Sequence, residues 1–167
     1  MTIKDYLLEA LESEARASRA VLERVPEGKP EWQPHPKSMR LGYLSALVAT
    51  MPAWIEMMVL QNELDLRPGT FSPQEMSTRK ELVAALDASV AKAKAALAGT
   101  TDDHLAKNWQ FKVNGQVVSD LPRHSMIRDS VFHHQAHHRG QLTVYLRLNE
   151  SSVPAIYGPS ADEGKFS

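Results

Sequence analysis

Between Ile127 and Leu148 one set of residues recurs at helical spacing: Ile127, Val131, His134, His138, Gln141, Leu142, Tyr145 and Leu148. Such a stripe predicts a helix of roughly twenty residues with one face turned into a core. A lone helix of that length is marginal in water, so the stripe requires other helices to cover it. It also sets two imidazoles where a core would ordinarily place aliphatic side chains.

Three more segments carry the same period. Leu7, Leu8, Leu11, Ala15, Val21 and Leu22 predict a helix from about Ile3 to Arg24, halted by Pro26. Leu41, Leu44, Leu47, Val48, Met51, Ile55 and Met58 predict a second, from about Arg40 to Glu63. Pro52 lies inside that pattern and is expected to kink or split it, because it lacks an amide donor and crowds the preceding turn. Thr78-Arg79-Lys80-Glu81 has the capping-box form and opens a third helix to about Ala98, with Gly99 as a left-handed stop. The last helix is expected to start at Asp120, Leu121 and Pro122 and to run to about Leu148 or Asn149. Asp65 to Pro73 reads as a loop. Gln110-Phe111-Lys112-Val113, Asn114-Gly115 and Gln116-Val117-Val118 carry a hairpin signal. The fold class expected is therefore all-α: a single domain over residues 1–167, built as a four-helix bundle with a small hairpin-like excursion before the last helix.

A chain of 167 residues can bury a substantial core, and 43% of it is hydrophobic. The net charge of −1 gives no electrostatic ground for nucleic acid or an anionic membrane as partner. There is no cysteine, so disulfides, thiolate ligands and a cysteine nucleophile are excluded. The first residues lack the pattern of a signal peptide, and no run is read as long and apolar enough to span a bilayer. A cytoplasmic protein is the expectation.

Four of the seven histidines fall between His133 and His138. His134 and His138 stand one turn apart on the inner stripe, the spacing of helical sites that clamp one metal ion. Zinc, nickel, iron or manganese are all compatible with imidazole. The alternative is a pair of packed or hydrogen-bonded histidines. Two ligands alone hold metal weakly, and a working site needs at least a third. His133 and His137 form a second pair turned about 100° away, placed to flank the site or line an interface. Gln141, one turn past His138, can orient a bound water or satisfy a buried backbone group. Gly140 in a helix interior points to a close helix crossing or an approaching ligand. Arg139 reads as a solvent-facing or interface ion pair. Trp32, Trp54 and Trp109 are expected to cover core edges, and Met51, Met57 and Met58 to fill the kink around Pro52.

The segment His134-Gln135-Ala136-His137-His138-Arg139-Gly140-Gln141-Leu142, followed by Tyr145-Leu146-Arg147, resembles the most specific motif of the DinB-like four-helix bundles. Leu41-Gly42-Tyr43-Leu44-Ser45-Ala46-Leu47-Val48-Ala49 and Met51-Pro52-Ala53-Trp54 resemble that family's second helix. The likeness covers nearly the whole chain. It implies a metal-dependent enzyme, of hydrolase or thiol-transferase type, in which three histidines bind the metal. Two map onto His134 and His138. The third, from the second helix, maps onto Leu47, which ligates nothing, and Tyr43 one turn away is a poor donor. The resemblance thus implies a divalent metal that is weak or absent here, no assignable catalytic residue and a homodimer. The alternative function is a metal-free bundle that binds a small ligand or serves as a dimeric interaction protein.

Overall fold

The computed structural model describes residues 1–67, 69, 74 and 76–164. Its first helix, α1, spans Ile3–Leu22, opened by a capping box between Thr2 and Asp5. The expected second helix is split. α2 runs Leu41–Thr50, Met51–Ala53 form a 3₁₀ turn, and α3 runs Trp54–Leu60. Pro52 explains the break. The Val48 carbonyl would normally accept from the amide four residues on, which is Pro52 and has no hydrogen to give. The Gln135 side chain donates to that carbonyl instead, at 2.8 Å, from a fully buried position.

α4 spans Arg79–Ala98 and opens with the capping box between Thr78 and Glu81. Gly99 does not adopt the left-handed conformation expected of it. Its φ is −82°, and its amide returns to Ala95 and Leu97 in a right-handed turn. The chain then starts a short helix, α5 (Asp102–Leu105), capped by Thr101.

The expectation of an all-α bundle is overturned by a three-stranded mixed sheet in order β1-β2-β3. β2 (Asn108–Val113) and β3 (Gln116–Pro122) are the hairpin that the Asn-Gly signal predicts, with Asn114 and Gly115 both at positive φ as its turn requires. β1 (Glu63–Leu66) was expected to be helix end and loop. It pairs in parallel with β2, Glu63 opposite Gln110 and Leu66 opposite Val113. Four residues carry too little alternation to announce a strand, and their partner lies more than forty positions on. Of the expected loop beyond β1, Pro68 and residues 70–73 lie outside the described residues.

The last helix begins later and less regularly than expected. β3 reaches Pro122, α6 spans Arg123–Ile127, Arg128–His133 wind as a π-helix, and α7 spans His134–Leu148. Leu7, Leu11, Met51, Ile55, Val131 and Phe132 fill one part of the core. Val21, Leu22, Leu41, Leu44, Val48, Leu86 and Leu142 fill the other. The twenty residues Leu41–Leu60 are, contrary to the sequence reading, long and apolar enough by composition to cross a membrane. Here 61% of their most apolar stretch is buried inside the protein's own core.

Two guanidinium groups lie in the interior. Arg139, expected in a solvent-facing or interface ion pair, is 1% exposed. It donates to the Glu14 carboxylate at 2.6 Å and the Ser18 hydroxyl at 3.0 Å, and meets the Tyr157 hydroxyl. It thereby fastens α7 to α1 and to the C-terminal segment. Arg123, 2% exposed, donates to the carbonyls of Met58, Gln61, Lys107 and Asn108 and to the Asn62 side chain, at 2.8 to 3.2 Å. All five of its N–H groups are used and none goes to a carboxylate. Its partners are the last turn of α3 and the start of β2, so one side chain ties α3, the sheet and α6 together. Replacing Arg123 with Met is expected to cost about 3 kcal/mol or more, because several buried acceptors lose their donor at once. Urea denaturation of the variant checks this, and Arg123→Lys, with three donors, should fall between it and the parent.

Candidate functional site

His134 and His138 open α7 on its inner face. The π-helix that precedes them inserts an irregular turn, a feature often found where a side chain must be re-aimed. The two Nε2 atoms stand 2.9 Å apart. His138 is 5% exposed and its Nδ1 donates to the Gln141 side-chain oxygen at 2.8 Å. That bond leaves the His138 Nε2 as a lone pair, so something electropositive must sit between the rings. One proton on the His134 Nε2, donated to His138, satisfies the contact. Burial pushes both imidazoles below the ordinary histidine range. The Ser130 carbonyl opposes this at His134, and Gln141 opposes it at His138.

The other residues singled out in the sequence are less closely gathered. Gln141 is itself exposed and holds His138 from outside. The exposed His137 ring stands edge-on 5.1 Å from His138. His133 faces Asp129 at 3.3 Å. Tyr43 is 37% exposed. Leu47 is 4% exposed and belongs to the same apolar cluster as Val131 and Phe132. The remaining histidines are engaged elsewhere: His104 with the Val59 carbonyl, His35 with the Lys37 amide and His124 with Ser125. Gly140 is exposed with open space around it, so no close helix crossing accounts for it.

The residues present fit a two-histidine clamp and not a three-ligand centre. Among the described residues no three histidine, cysteine, aspartate or glutamate side chains converge on a point where a metal could sit. Leu47 contributes only hydrocarbon.

Beside the pair lies a cavity of about 490 Å³ that the sequence did not announce. Trp54, Met57 and Met58 line it from α3, Leu64 to Leu66 from β1, and Trp109 and Phe111 from β2. Met126 closes it from α6, and Ser130 and His134 supply its polar end. Trp54 is 5.9 Å from the His134 ring, centroid to centroid. Trp54, Met57, Met58 and Trp109, expected as core edge and filler, are therefore wall. Their sequence signal, large apolar residues at core spacing, is the same for both roles.

A DinB family profile matches residues 1–165. The chain belongs to the DinB family. Among curated proteins it is 36% identical over 63 residues to YrdA, an uncharacterised protein of Bacillus subtilis strain 168, a match spanning 38% of this chain and 34% of YrdA. Its fold is similar to that of a DinB-like protein of Bacillus cereus, with a TM-score of 0.71 at 21% identity, covering 90% of this chain and 95% of that one. A second DinB-like protein, YjoA of Bacillus subtilis, gives a TM-score of 0.67 at 16% identity over 89% and 96% of the two chains.

Two expectations follow. Leu47→His should raise zinc affinity at least about tenfold over the parent, by titration calorimetry on chelator-stripped protein, because it adds the ligand a two-histidine site lacks. An unchanged affinity would show that the Leu47 position does not face the pair. Both imidazoles titrate below the ordinary 6.5 in the folded chain. The unfolded chain therefore takes up protons first, so stability is full above about pH 6.5 and declines as pH falls from there. Urea midpoints measured across that range should show the decline, and His138→Asn should flatten it.

Proposed function

We propose that this DinB family protein binds a small, largely apolar molecule in the cavity beside the histidine pair, with His134 facing the ligand. The observation that carries this reading is the cavity itself. Its volume of about 490 Å³ lies within the usual range for small-molecule sites, and its wall is aromatic, methionine and leucine side chains with Asp65, Ser130 and His134 as a few polar members. In water an unfilled apolar cavity of this size is unfavourable, and a ligand that displaces poorly held water gains affinity. His134 supplies an imidazole at the ligand, able to exchange a hydrogen bond with it.

A second reading has one observation in its favour. The two Nε2 atoms converge at 2.9 Å, as they would on a shared divalent ion such as zinc, nickel, iron or manganese. A metal-dependent hydrolase or thiol transferase of the kind the resemblance implies would then need its remaining ligands from water or substrate, since Leu47 offers none. The ligand-binding reading requires no missing part and is preferred for that reason.

Fluorescence separates the pocket from the rest of the molecule. Trp54 and Trp109 line the cavity, whereas Trp32 packs edge-on against Tyr145 in the other part of the core. Titration with naphthalene is expected to quench the emission of the parent and of Trp32→Phe alike. Leu64→Trp, which fills the cavity, should weaken binding by about tenfold or more. Binding that persists unchanged in a folded Leu64→Trp variant would place the ligand elsewhere and refute the reading.

A further inference from the structure

We infer that the cavity is selective for a neutral aromatic molecule and that it rejects anions. This deepens the proposed function and rests on the cavity being a binding site.

The aromatic preference follows from the wall. Trp54, Trp109 and Phe111 offer ring faces and edges on which a planar ligand can stack. Met57, Met58 and Met126 are flexible and polarisable and can close around more than one ring shape.

The charge preference follows from what the wall lacks. Among the described residues no lysine or arginine lines the cavity, and the one charged side chain that does is a carboxylate, Asp65, which accepts from the Gly115 amide at 2.9 Å and faces Arg67 at 3.5 Å. The buried guanidinium of Arg123 is not available to a ligand, because its five donors are all spent on protein acceptors. That of Arg139 is held by Glu14, Ser18 and Tyr157. An anion in this cavity would lose its hydration without gaining a counter-charge, which is the costly way to bury one.

Calorimetry on the full chain near neutral pH, with naphthalene, naphthamide and naphthoate as probes, tests the inference because the three share one ring system. Naphthamide is expected to bind at least about tenfold more tightly than naphthoate. Asp65→Asn should raise naphthoate affinity severalfold while leaving naphthamide nearly unchanged. Naphthoate binding as tightly as naphthamide would overturn the charge preference. If none of the three probes binds, or if Leu64→Trp leaves all three unaffected, the binding site itself falls and this inference with it.

Discussion

One absent hydrogen governs much of this structure. Pro52 has no amide to offer the Val48 carbonyl, and that carbonyl lies in the packed centre of the molecule, where an unmet acceptor costs about 1–3 kcal/mol. Gln135 meets it from α7. The consequence runs in two directions. α2 can end at Thr50 and let α3 leave on a new course, which brings Trp54, Met57 and Met58 to the cavity. α7 is at the same time held in register against α2, since the donor sits next to His134 in the chain. The residue that mends the helix break thus helps fix where the histidine pair stands.

The interior cations serve the frame. Arg123 gathers the end of α3, the start of β2 and the start of α6 around one planar group, and it does so with neutral carbonyls alone. The free C-terminal carbonyls of a helix carry partial negative charge, so the last turn of α3 supplies part of the compensation that a carboxylate would otherwise provide. Arg139 performs the parallel task between α7, α1 and the C-terminal segment, this time with a carboxylate at 2.6 Å. With both guanidiniums spent in this way, the space between α3, the sheet and α7 has, among the described residues, His134, Ser130, Asp65 and two indole rings as its polar members. Its chemistry is that of a mostly neutral, mostly apolar site.

Features that depend on neighbours in the chain were legible in advance. The spacing of Leu7, Leu11 and Val21, or of Leu41, Leu44 and Val48, names the buried face of a helix because the α-helical period is local. The capping box at Thr78 and the Asn114-Gly115 turn are legible for the same reason, since each is a short-range hydrogen-bond or φ requirement. Leu47 as the substitute for a ligand is likewise visible as an identity at a position. Arg139 was misread because the sequence shows a charge and not the Glu14 carboxylate, more than a hundred residues away, that permits its burial. β1 was missed because a four-residue strand has meaning only once β2 lies beside it.

By itself, then, the sequence determined where the long helices lie, that the second must break at Pro52, that a hairpin precedes the last helix, and that two histidines share a face of α7. These follow from backbone sterics, period and missing donors, all of which act over a few residues. Tertiary structure alone decided that the sheet has three strands, that Arg123 and Gln135 are buried and fully engaged, that the two Nε2 atoms meet at 2.9 Å, and that tryptophans and methionines enclose a space instead of filling it. Those outcomes depend on which distant groups are brought together. A cavity in particular is a property of the gap between elements, and no element's own residues record it.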